Sequence, residues 1–175
     1  IILIILGMGF FIGYVHKYQQ ILNEGYYLID EHCIKVNPLI INERNRYNDS
    51  DDVLLVGTTA NIKYQEANIA YAKEEWLWLQ KVKEYMDRKD FNLMMSSYFK
   101  EALFYQYSVN VTLYNSSFLI AQSFGETDQK KQLELIDKIT EETKKNNEAN
   151  NKYNEAIKKY IEKKTWVDNF VKIPA

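Results

Sequence analysis

The stretch IILIILGMGFFIGYVHKYQQILNEGYYLIDEHCIKV, Ile1 to Val36, decides the fold. Its first fifteen residues, Ile1 to Val15, carry no charge, and His16 and Lys17 are the first polar cations after them. Beyond that run Tyr18, Ile21, Leu22, Gly25, Leu28, Ile29, His32 and Val36 keep a step of three and four, the spacing of one helix face. The stretch therefore reads as one helix, apolar at its leading end and amphipathic after it.

Crossing a hydrocarbon core as helix takes about 20 apolar residues, so fifteen are too few alone. The chain begins without Met, and the expectation is a transmembrane helix at 1–15, truncated at its amino-terminal end, followed by a helical bundle domain at 16–175. Tyr14 and Tyr18 flank the end of the run, where rings with one wet tip prefer to sit. The bland alternative is a buried core helix; a cleaved secretory signal would need a small-residue site that is missing after Val15. Orientation follows the basic flank. Only Lys17 precedes Lys35 there, with Glu24, Asp30 and Glu31 between them, so the expectation is a single-pass membrane protein with its helical domain on the extracytoplasmic side.

Working outward, Asn37-Pro38 should interrupt the first helix, since proline lacks a donor and disfavours helix in the residue before it. Pro38 then opens a second short helix, capped by Asn37, to about Tyr47, and Asn48 to Asp52 form a loop. From Val53 to about Tyr85 the series Val53, Val56, Ala60, Tyr64, Ala67, Tyr71, Glu75, Trp78, Val82, Tyr85 predicts one long amphipathic helix, ended by Asp87 to Asp90. The segment Phe91 to Phe124 carries only Lys100 and Glu101 as charges. Its residues 105–113 also alternate as a strand would, with Asn115-Ser116 as a hairpin turn. Helix is preferred because a lone hairpin is marginally stable and nothing else offers it strand partners. Gly125 stops this segment, and Thr127 or Asp128 starts a last helix to about Val171. Its heptad stripe is Ile136, Ile139, Thr143, Asn146, Asn150, Tyr153, Ile157 and Tyr160, a coiled-coil-like pattern whose asparagines fix register. The fold class is thus all-α: an antiparallel bundle of about four long helices, the first continuous with the membrane helix.

Composition agrees with a single such domain. The chain has 175 residues, 46% hydrophobic and 26% charged, which allows one real core and excludes a disordered tail. A net charge of -2 removes the electrostatic footprint of a nucleic-acid partner. Six Gly and two Pro are too few for a many-stranded sandwich, and the single Cys33 excludes an intramolecular disulfide or a cysteine metal site.

Length places the ends. Rising from His16 to Tyr47 covers roughly 47 Å at the helical rise, so the next helix returns by about Lys83. The turn at Asp87 to Asp90, with Trp76 and Trp78 near it, should then lie beside the bilayer. The last helix comes back down by about Tyr160, leaving Trp166, Phe170, Val171 and Ile173, behind Lys163 and Lys164, at the membrane surface. The expected interface residues are Tyr14, Tyr18, Trp76, Trp78, Trp166 and Phe170; the alternative for Trp166 and Phe170 is that they finish the core.

A search for chemistry finds little. Two histidines exist, and His32 falls on the apolar stripe, as a hydrogen-bonded core residue would. No Glu-x-x-His pair, no His-Glu-x-x-His run and no glycine-rich phosphate loop occur. Cys33 and His32 point about 100 degrees apart on a helix and form no nucleophile and base pair. No catalytic residue, cofactor site or metal site is expected. The unusual stock is fourteen tyrosines, several on inward stripes with Asn146 and Asn150. The functional expectation is a non-catalytic, membrane-anchored interaction or scaffold component of a membrane-associated assembly. Its partners would be membrane lipid and other protein subunits, a second copy included. The alternative is an extracytoplasmic ligand-sensing domain with a pocket of Tyr98, Tyr105, Asn146, Asn150 and Tyr153 between helices. An enzyme would need a cleft collecting His32 with carboxylates from other helices.

Overall fold

The structure, a computed structural model, describes residues 2–39, 59–163 and 165–171. Helix α1 spans Ile2–Glu31 and runs without a break into a π-helical turn, His32–Val36. Then follow α2 (Thr59–Asp87), α3 (Lys89–Met94), α4 (Ser97–Gly125), α5 (Gln129–Glu162) and a 3-10 turn (Trp166–Phe170). The described residues contain no strand. Residues 105–113, which alternate as a strand would, lie inside α4, because burial against two neighbouring helices outweighs β preference.

The helices pack up and down. Along α1 and α2, His32 meets Glu75, the Leu28 carbonyl meets Trp78 and the Ile21 carbonyl meets Tyr85. Along α2 and α4, Tyr64 meets Phe124 and Trp76 meets Tyr114. Along α4 and α5, Ser123 meets Gln132, Val109 meets Asn146 and Phe99 meets Tyr160. The core lies where all four long helices converge, around Tyr18, Ile21, Leu22, Val82, Tyr85, Phe91, Phe99, Leu103 and Tyr160. Gly25 lets α1 approach: a Cβ there would stand 2.8 Å from the Tyr85 hydroxyl and 3.0 Å from Phe99 Cζ.

Element ends differ from expectation in three places, each with a cause. Asn37 does not break the first helix: it is helical (φ -57, ψ -42) and its N–H donates to the His32 carbonyl, five residues back. The wide π-turn accommodates Pro38, which has no N–H to place in the ladder. The expected short helix to Tyr47, the loop Asn48 to Asp52 and the helix start at Val53 lie outside the described residues. The third segment is broken at Met95 and Ser96, both extended, and Ser96 caps α4 by accepting from the Phe99 N–H at 3.2 Å. The last helix stops at Glu162 instead of Val171, because Thr165 and Asp168 form a capping box that starts the 3-10 turn. On α5 the expected inward Ile136 and Thr143 are exposed. Leu135 and Glu142 take the inward positions, Glu142 accepting from Asn115 at 2.9 Å.

Among the described residues no helix is long and apolar enough to cross a membrane. A transmembrane helix at 1–15 therefore has no support from the fold: the apolar run continues into Lys17, Gln19, Gln20, Asn23 and Glu24 on the same helix.

Candidate functional site

The leading end of α1 stands out physically. Met8, Phe10, Phe11, Ile12 and Tyr14 are all exposed, Phe10 by 80%. Successive residues turn by 100 degrees, so Met8, Phe10, Phe11, Ile12 and Tyr14 spread their side chains over an arc of about 200 degrees, and Gly9 and Gly13 occupy the rest of the circumference. The packed core begins only at Tyr18.

The 3-10 turn comes from the far end of the chain and lies alongside. Phe11 stacks on Trp166 (ring centroids 5.8 Å) and meets Phe170 edge-on (5.3 Å), while Tyr14 stacks on Trp166 at 6.3 Å. The turn is fixed by buried Asp168. That carboxylate accepts from the Tyr18 hydroxyl at 2.7 Å, from the Thr165 hydroxyl at 2.7 Å and from the Thr165 N–H. Burial, and next the bond to Asp168, push the Tyr18 hydroxyl well above the ordinary tyrosine range.

A band of charge lies just above. Lys17 is 3.1 Å from Asp90, and Arg88 holds both Asp90, at 2.8 Å, and Glu24. The guanidinium of Arg88, then the ammonium of Lys17, hold the Asp90 carboxyl far below the usual carboxylate range. Lys163 sits over the Tyr98 ring at 5.7 Å.

The six expected interface residues are thus divided. Tyr14, Trp166 and Phe170 come together around Phe11. Tyr18 lies inside the bundle, 1% exposed. Trp78 is also a core residue, its indole N–H donating to the Leu28 carbonyl at 2.6 Å. Trp76 is exposed beside Tyr114, well up α2. Phe11 was missed by the sequence reading; its spacing of three from Tyr14 places both on one face and is the signal that finds it.

The five expected pocket residues are strung along α4 and α5. Asn146 donates to the Val109 carbonyl (3.0 Å) and the Thr112 hydroxyl (2.7 Å), and Asn150 donates to Asn146 at 2.9 Å. Tyr105 lies under Lys152 and Tyr98 under Lys163. Tyr153 is half-buried, and burial raises its pKa. The Asn146 amide is spent within the seam. An open cleft of about 820 Å³ lies elsewhere, between α1 and α2, lined by Tyr27, Leu28 and Tyr85 among others. On its rim Lys81 pairs with Glu31 at 2.7 Å and Arg88 with Glu24.

His32 is a buried, hydrogen-bonded residue, and its partner is a carboxylate from α2. Glu75 is 0% exposed and lies 2.8 Å from His32 Nε2, with the Trp78 ring 4.5 Å from the imidazole. Among the described residues no group of three or more His, Cys, Asp or Glu side chains is arranged to hold a metal ion. Comparison with protein-family models, with curated proteins and with solved structures finds no match for the chain.

Proposed function

We propose that this chain is a non-catalytic, membrane-anchored helical spacer whose bundle serves as an interaction or scaffold component on the extracytoplasmic side. The observation that carries the reading is the exposure of Met8, Phe10, Phe11, Ile12 and Tyr14 on α1, over more than half of its circumference and with no charged residue on the remainder, beyond the end of the packed core. A helix segment with no charged face belongs in an apolar medium. A partner groove covers one side of such a helix, whereas lipid reaches the whole exposed arc.

Anchoring in this reading rests on insertion of the uncharged leading part of α1 into lipid. Above it, α2, α4 and α5 continue beyond the level of His32 and Glu75 by roughly 24 Å of α2. There they present Phe118, Leu133 and Ile136 to the surroundings. That distal end is the part offered to protein partners. A ligand pocket along α4 and α5 has less support, since the Asn146 amide already donates to Val109 and Thr112 and accepts from Asn150.

The test is flotation with phosphatidylcholine vesicles on a sucrose gradient. The chain is expected in the lipid fraction, and the double variant Phe10→Lys, Ile12→Lys at the bottom of the gradient. Sedimentation of the unmodified chain free of lipid contradicts the reading.

A further inference from the structure

We infer that the carboxyl-terminal 3-10 turn is a second lipid contact, resting on the reading of α1 given above: Trp166 and Phe170 enter the bilayer interface beside Phe11 and Tyr14 as one aromatic collar. Three observations support this. Trp166 and Phe170 each remain 59% exposed although they pack on α1 rings. They do not finish the core; among the described side chains of the turn the buried ones are Val167 and Asp168. Their position is fixed all the same, because the Asp168 carboxylate is withdrawn from water to hold Thr165 and Tyr18. With three donors the buried carboxylate is satisfied, so the two exposed rings are held in a defined position beside α1.

The occupant that fits is lipid at headgroup depth. Trp and Tyr collect there because the ring is apolar and one edge is polar. The collar is continuous with the exposed apolar faces of residues 8–14. The charges directly above it, Lys17, Asp90 and Arg88, are paired among themselves, so the surface needs no counter-charge. The latch has a mechanical consequence. Tyr18 and Asp168 join segments 150 positions apart, so two points of contact fix the tilt of the bundle where α1 alone would leave it free to swing.

The experiment uses the full chain on phosphatidylcholine vesicles carrying a bromine pair high on the acyl chain, with tryptophan emission and flotation measured on the same samples. The expected result is flotation, quenching of the unmodified chain, and loss of at least two thirds of that quenching in Trp166→Phe, which still floats. Tyr18→Phe, which frees the latch without touching the collar, is expected to float with reduced quenching. Flotation with no quenching, or with equal quenching in Trp166→Phe, overturns the second contact and leaves the α1 anchor standing. Failure to float overturns both. Concentration-dependent self-association without lipid, abolished by Trp166→Ala, would assign the collar to a second copy and likewise overturn the inference.

Discussion

His32 Nε2 lies 2.8 Å from one oxygen of Glu75 and 3.1 Å from the other, and both side chains are buried. The pair joins α1 to α2 at the π-turn, where Trp78 closes over the imidazole and donates to the Leu28 carbonyl. Taking two polar groups out of water is tolerated because each satisfies the other. Removing one leaves the other stranded. Glu75→Ala is therefore expected to lower unfolding free energy by about 1–3 kcal/mol, read from urea denaturation. The double variant His32→Leu, Glu75→Leu should recover most of that loss, since well-packed apolar replacements of a buried pair are often neutral. A double variant as unstable as the single would show that the pair does more than satisfy itself.

Gly25 is a point of close approach between α1 and the rest of the bundle. Gly25→Ala sets a methyl 2.8 Å from the Tyr85 hydroxyl and is expected to cost about 1–3 kcal/mol through overpacking. Gly13→Ala meets nothing within 4 Å and should be neutral or stabilising by up to ~1 kcal/mol, the ordinary helix preference of alanine over glycine. Thermal melts of the two variants compare them directly; equal effects would place α1 differently.

The latch at Asp168 should be visible to a protease. Asp168→Ala releases the Tyr18 hydroxyl and both Thr165 donors, at an expected cost of about 1–3 kcal/mol. Tyr18→Phe loses one hydrogen bond, about 1 kcal/mol. Trypsin should cut after Lys163 several-fold faster in Asp168→Ala than in the unmodified chain. Unchanged cleavage would mean that something other than Asp168 holds the turn.

Alkaline pH addresses the tyrosines. Burial pushes the Tyr18, Tyr85 and Tyr160 hydroxyls above the ordinary tyrosine range. A group whose folded pKa is raised binds its proton more tightly in the fold, so its contribution is full below the unfolded value of about 10 and is lost as pH rises through the folded value. Stability is expected to be flat from pH 7 to 9 with respect to these groups and to fall above about pH 10. Tyr85→Phe should fall less steeply. Phenolate absorbance followed alongside the melting temperature checks this; tyrosines ionising together near pH 10 without loss of stability would contradict it.

Much of the architecture was legible because helix periodicity is local. The stripes on α1 and α2 named Tyr18, Ile21, Leu22, His32, Tyr71, Glu75, Trp78, Val82 and Tyr85, and all of them are buried. Asp128 caps α5 as its position implied, accepting from the Lys130 N–H at 2.9 Å. What stayed hidden depended on distant partners. Neither stripe says that His32 and Glu75 share a level, and no window joins Phe11 to Trp166. The break at Ser96 and the stop at Thr165 were carried by short capping signals inside longer apolar patterns, which hid them. On α5 the asparagines blur the phase of the stripe, so the heptad points to Ile136 where the structure turns Leu135 inward. The tryptophans of α2 were placed too near the base because the α2 stripe gives spacing without height; the match of Lys17 to Asp90 sets that height.

The claim on which the functional account stands is that the leading end of α1 sits among acyl chains. A nitroxide attached through Phe10→Cys, in a Cys33→Ser background and bound to phosphatidylcholine vesicles, measures this by its collision rates with oxygen and with a water-soluble nickel complex. Oxygen collisions should exceed nickel collisions at this site, and the order should reverse for a label attached through Ile136→Cys on the distal, exposed face of α5. Nickel collisions dominating at both positions would contradict the account.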